Sequence, residues 1–134
     1  MKKESEILRF REYFRKIDRK SVYKWQKDDV GRLYPIYSLY FTEFIDRVCS
    51  SDSIDYHYID TLKKYNVPLN FEISDYIEKS NEELLNAILS YFVFQEYSQE
   101  GIWRFAVEFK VFYKILLRMT ELHKKNELHK SSSY

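Results

Sequence analysis

Apolar and polar positions alternate with a helical period through the last third of the chain. Leu84, Leu85, Ile88, Leu89, Phe92 and Val93 recur at spacings of three and four, which sets all six on one broad helical face with Asn86 and Ala87 outside it. Ser80, Asn81, Glu82 and Glu83 read as a capping box: the Ser80 hydroxyl takes the amide of the third helical residue and Glu83 reaches back to Ser80. A helix is therefore predicted to begin at Ser80. The pattern fades at Tyr97, and Gly101 supplies a residue that tolerates positive φ at a helix end. Beyond it Ile102, Phe105, Ala106, Phe109, Phe112, Leu116, Met119 and Leu122 resume the period, which predicts a second, continuous helix to Leu122. Two amphipathic helices on a short connection pack antiparallel, so a helical hairpin is the predicted spine.

The same reading places elements upstream. Ile7, Phe10, Phe14 and Ile17 form one stripe of a helix over residues 4–18, with Arg11, Arg15 and Arg19 along its outer side and Glu12 positioned to pair with Lys16. Over residues 20–35 the period is lost; Asp28, Asp29 and Gly31 suggest a turn, with residues 22–34 a short irregular hairpin or a loop and Trp25 a lid over the core. Pro35 suits the first turn of a helix carrying Tyr37, Tyr40, Phe41, Phe44, Ile45 and Val48. A short helix capped by Asp55 follows, ended by Asn66 with Pro68 two residues on, and residues 73–79 add another. From Lys124 the core pattern stops, which divides the chain into one helical domain, 1–123, and a flexible tail, 124–134.

Composition narrows the fold class. Two Gly and two Pro in 134 residues remove most strand punctuation, and the expectation is all-α: a compact bundle of about five helices around the C-terminal hairpin. No apolar run approaches the roughly 20 residues of a membrane span, the N-terminus lacks a secretory pattern, and the lone Cys49 fits a reducing compartment, so the cytoplasm is expected. Cys49 has no neighbouring base and reads as a small hydrophobe. The net charge of +1 conceals polarity: residues 1–34 carry +5, 35–100 carry −8 and 101–134 carry +4. Either basic ends neutralise an acidic middle, or the molecule has two faces of opposite sign. Thirteen Tyr and ten Phe admit two readings as well, an adhesive binding face or the codon bias of an AT-rich genome.

Signatures of common chemistries are missing: no phosphate-binding glycine loop, no zinc spacing and no nucleophile elbow, so neither a cofactor nor a metal is expected. The one constellation lies at the hairpin tip. Glu96 and Glu108 border apolar stripes, Arg104 stands four residues before Glu108, and Gly101 and Trp103 lie between. Two carboxylates in such a place serve acid–base chemistry, hold a divalent ion, or tie the turn down through polar contacts. A second candidate, for nucleic-acid phosphates, is the ridge Arg11, Arg15, Arg19 and Lys20.

The stretch from Phe94 to Glu108 resembles a family of small bacterial proteins known only as a domain of unknown function, in which R-x-E-R-F-x-x-G-x-W joins two helices and an acidic residue follows. This chain keeps Glu96, Gly101, Trp103 and Glu108, while Phe94 and Tyr97 stand in place of the two arginines and Ser98 in place of the Phe. The element Tyr34 to Tyr37 and the aromatic helix after it are also similar, so the resemblance covers roughly residues 25–122. It implies a helical fold and no known activity, and the replaced arginines argue against an anion site at the tip.

Together these observations favour a non-catalytic interaction domain with another protein as partner, of the inhibitor or adaptor type that phages and mobile elements encode. The alternatives are a nucleic-acid binder using the basic N-terminal helix and an enzyme using Glu96 and Glu108. Homodimerisation through exposed aromatics is a further option.

Overall fold

The computed structural model describes the backbone of residues 6–16 and 22–132, with side chains except at position 71 and positions 126–132. Predominantly helical, the chain carries one small antiparallel sheet and is therefore not purely all-α.

The first helix is interrupted. Residues 6–8 are helical, residues 9 and 10 form a turn, and α1 spans Arg11–Lys16, with Ile7, Phe10 and Phe14 buried as their spacing requires. The strands β1 (Tyr23–Lys27) and β2 (Leu33–Tyr37) then pair in register, Tyr23 with Tyr37 and Lys27 with Leu33. Their turn is chemically determined. Asp28 Oδ1 accepts from the amides of Val30 (3.0 Å) and Arg32 (2.8 Å), the Gly31 amide donates to the Asp28 carbonyl (3.1 Å), and Gly31 takes φ +84°. This is the three-residue loop that closes a hairpin through a left-handed glycine. Pro35, expected at a helix start, lies inside β2 opposite Trp25; Ser38 caps the next helix instead, its side chain accepting from the Phe41 amide.

That helix, α2 (Leu39–Cys49), buries Phe41, Phe44, Ile45 and Val48. In α3 (Tyr58–Lys64) Asp55 serves the first turn through the His57 amide and the Thr61 hydroxyl. Asn66 closes it at φ +57°: its amide donates to the Lys63 carbonyl and that of Val67 to Leu62, the paired bonds of a Schellman end. A 3-10 helix covers Phe71–Lys79.

Helix α4 (Glu82–Phe94) begins one residue later than the capping box implied. Asn81 is the cap, accepting from the Leu84 amide at 2.9 Å, while Ser80 ends the preceding 3-10 helix and Glu83 pairs with Lys64 and Tyr65. Burial runs nearly all round α4, Ala87 included, so it is the core helix of the molecule rather than one with a single inward face. Its buried Ser90 is satisfied, donating to the Asn86 carbonyl and accepting from the Asp55 amide.

After a 3-10 turn, Gln95–Tyr97, Gly101 takes φ +103° and the chain reverses, as its position predicted. The return is two helices, α5 (Ile102–Glu108) and α6 (Val111–Ser132), rather than one. They meet where Lys110 adopts φ +59°. Its ammonium donates to the carbonyls of Phe14 and Arg15, both at 3.1 Å, which caps α1 and offsets the cost of that backbone. The break resets the helical phase, so Val111, Phe112, Ile115 and Leu116 are fully buried while Phe109, expected inside, is 59% exposed. Arg118 closes the far end by donating Nε (3.0 Å) and Nη2 (2.9 Å) to the Ser80 carbonyl, which confirms the antiparallel course. Residues 124–132, read from sequence as tail, continue α6 as helical backbone.

Aromatic residues form one connected cluster through the core. Phe10, Phe14, Phe41, Phe44 and Phe112 lie at centroid separations of 4.7 to 6.5 Å, mostly edge to face, and Tyr37 and Trp103 extend the cluster to the hairpin tip. Much of the aromatic content is thus packing, since ring pairs in these arrangements add stability beyond their buried area.

Candidate functional site

The helical tip and the β-hairpin come together, and the polar residues singled out at the tip sit where they meet. Glu96 Oε1 accepts from the amides of Gly101 (3.1 Å) and Trp103 (2.9 Å), which satisfies donors that the start of α5 leaves without an intrahelical partner. The Trp103 indole donates to the Val93 carbonyl at 3.2 Å, and its ring meets Tyr37 and Phe41 edge to face. Arg104, although four residues before Glu108 on one helix and so placed to pair with it, makes no ion pair with it. Its guanidinium lies 5.0 Å from the Trp25 ring centroid, a cation–π contact, and Glu108 accepts from the Tyr23 hydroxyl at 3.1 Å. Trp25 is correspondingly no lid over the core: it stands 52% exposed, edge-on to Tyr23 and beneath Arg104.

The two carboxylates do not converge. Glu96 caps the beginning of α5 and Glu108 is its last residue, so at 1.5 Å per residue they are separated by roughly 9 Å along the axis. Each already carries a structural hydrogen bond, and no group of three or more His, Cys, Asp or Glu among the described residues is placed to hold a metal ion. Cys49 is half-buried, and burial first, then Asp46, pushes its thiol pKa up, away from nucleophilic use.

Of the basic ridge, Arg11 donates to the Thr120 hydroxyl at 3.3 Å, and Arg15 grips Glu12 through Nε and Nη2 at 2.8 to 3.2 Å; Glu12 thus pairs with Arg15 rather than Lys16. Arg19 and Lys20 lie outside the described residues. No helix among the described residues is long and apolar enough to cross a membrane.

Tyr37 carries the least satisfied polar group of the tip. Among the described residues its hydroxyl and Arg104 Nη1 are both buried without a well-formed hydrogen bond, although the Arg104 side chain stands close enough to the hydroxyl to favour its ionised form. Burial, and secondarily the charge of Glu96, raise its pKa well above the ordinary tyrosine value. The folded state favours the neutral phenol, so stability from this source is complete below about pH 10, where the unfolded chain begins to ionise, and is lost as pH rises beyond it. Tyr37→Phe keeps the ring stacked on Phe41 and removes an unsatisfied hydroxyl. It should raise stability at neutral pH by about 1 kcal/mol and flatten part of the alkaline decline, as thermal melts at pH 7 and above pH 10 will report. A lower melting temperature for Tyr37→Phe at neutral pH would show that the hydroxyl is satisfied after all.

What the sequence reading did not single out is the exposed half of the β-hairpin. Leu33 is 59% exposed and Ile36 46%, with Val30 and Tyr34 also exposed, and along β1 Lys27 shares the face of Trp25 while Lys24 lies on the other. A signal was present in the alternation of Tyr23 to Lys27 and in the Asp-Asp-Val-Gly turn. No family model matches this chain, and neither the curated proteins nor the solved structures give a match.

Proposed function

We propose that this chain is a non-catalytic protein-interaction domain in which the helical bundle holds the β-hairpin Tyr23–Tyr37 out as a docking element. The observation that carries this reading is the exposure of Trp25 and Leu33 as diagonal neighbours on one face of a short hairpin, with Ile36 exposed on its other face, since isolated apolar side chains on a surface are ordinary but adjacent ones mark a contact site. Supporting it, Glu96 and Glu108 are engaged in holding the tip and stand at opposite ends of α5, which leaves no acid–base pair. The resemblance to a helical domain of unknown function is compatible with this role and adds no activity.

Capture from the native cell with the tagged chain tests the reading. A partner retained by the wild type should fall by at least about tenfold with the double variant Trp25→Ala, Leu33→Ser, whose exposed sites leave the fold nearly unchanged. Equal recovery by a folded double variant would remove the hairpin from the interface and the proposal with it. Nucleic-acid binding through the N-terminal ridge makes a different forecast: affinity for duplex or single-stranded DNA that falls steeply between two salt concentrations.

A further inference from the structure

Antiparallel pairing leaves alternate residues of each strand with their N–H and C=O turned away from the partner. The Ser38 amide donates to the Val22 carbonyl (2.7 Å) and the Asp28 amide to the Arg32 carbonyl (2.9 Å), so even-numbered residues of β1 and β2 face one another and odd-numbered ones face outward. On β2 the middle outward position is Pro35, which has no N–H to offer, and its free edge is blunted. Among the described residues β1 has no such guard. The backbone groups of Trp25 and Lys27 point outward, no other described strand pairs with them, and no backbone hydrogen bond from either to a described residue is made outside the hairpin.

Charge selects the occupant. Lys24 and Lys27 are exposed and form no ion pair among the described residues, whereas Arg32 is balanced by Asp28 in the turn at 3.5 Å. Arg104 adds a further positive group over Trp25. A second copy pairing through β1 about Lys27 would set the two Lys27 side chains opposite each other, and like charges across strands are destabilising. A cleft of about 350 Å³ at the foot of the hairpin, bordered by Lys24, Gln26 and Ile36, offers room for an apolar side chain on the face opposite Trp25. Resting on the interaction reading above, we propose that the outer edge of β1 at Trp25 and Lys27 receives an extended acidic peptide segment of a partner protein as a third strand. Main-chain bonds to these two residues hold it, acidic side chains beside Lys27 and Arg104 on the Trp25 face select it, and apolar side chains on the alternate face meet the cleft beside Lys24.

The probe is a capped peptide of about ten residues alternating glutamate and valine, added to the isotope-labelled full chain, with a lysine–valine peptide and single-stranded oligothymidine as comparisons. Expected are amide shifts centred on Trp25 and Lys27, slower hydrogen exchange at those two amides, and binding about tenfold weaker for the lysine–valine peptide. Lys27→Pro removes an outward N–H that takes no part in the β1–β2 ladder, and should abolish binding. Lys27→Thr keeps the N–H and should weaken binding only a few-fold, a check that holds should the proline variant disturb the hairpin. Unmoved Trp25 and Lys27 amides would overturn the proposal. So would undiminished binding by a folded Lys27→Pro, tighter binding of the oligonucleotide at the same residues, or concentration-dependent shifts there without peptide, which would mean a second copy. A cellular partner lost with Trp25→Ala, Leu33→Ser but indifferent to Lys27→Pro would leave the interaction reading standing and the strand-addition mode refuted.

Discussion

Replacing Phe41 with alanine should destabilise the protein by about 3 to 5 kcal/mol, the range for removing a large aromatic from a closed core. The ring is fully buried, and it meets Phe14 of α1, Tyr37 of β2, Phe44 of α2, Trp103 of α5 and Phe112 of α6. Elements far apart in sequence converge on this one side chain. A cavity there cannot close by shifting a single helix, because each neighbour is also held by another ring, as Phe14 is by Phe44 and Phe112. Small domains are stable by only about 5 to 15 kcal/mol, so the variant should lose a large share of its total, visible as a lower urea midpoint with unchanged slope. Phe41→Leu, which keeps most of the volume, should lose less than half as much. A loss below about 1 kcal/mol for the alanine variant would contradict the place given to this cluster.

The helical hairpin was legible because two independent signals agreed: apolar spacing on both sides and a glycine between them. Its finer structure was not. The break at Phe109 and Lys110 carries neither Gly nor Pro, and what makes it tolerable is a tertiary contact, the Lys110 ammonium on the last carbonyls of α1, invisible to any window on residues 102–122. Ser80 and Asn81 competed for the same cap with similar chemistry, and the outcome turned on Arg118 claiming the Ser80 carbonyl from 38 residues away. The β-hairpin was half legible. Its turn residues announced a reversal, but Pro35 argued for a helix start, and only the register shows that its missing N–H falls on the outward side, where it costs the ladder nothing.

The tip divides in the same way. Glu96 could be picked out because a carboxylate beside an apolar stripe needs a donor, but spacing alone did not name the donors, which are the amides five and seven residues on. Arg104 and Glu108 looked like a pair at helical spacing, but each is drawn off by an aromatic residue of the β-hairpin, Trp25 and Tyr23. Local spacing gives the opportunity for contact. The neighbouring element decides whether it is taken.

Glu96 then supplies the sharpest distinction between a tip that is built and a tip that reacts. Glu96→Ala strips the acceptor from the amides of Gly101 and Trp103 at a turn where Gly101 already holds φ +103°, and should cost about 2 to 3 kcal/mol. Glu96→Gln keeps an oxygen where Oε1 now sits and loses only the charge assistance, so about 1 kcal/mol is expected. Hydrogen exchange at the Trp103 amide should accelerate strongly in the alanine variant and weakly in the glutamine variant, and urea unfolding should rank the two in the same order. The β-hairpin should feel the change through Trp103 and Tyr37, which touch edge to face at 5.2 Å, so partner capture by Glu96→Ala should weaken in proportion to lost stability while Glu96→Gln stays near wild type. If alanine at this position left stability and Trp103 exchange untouched, the carboxylate would not be holding the turn. It would then be free for chemistry, and the non-catalytic reading of the tip would have to be abandoned.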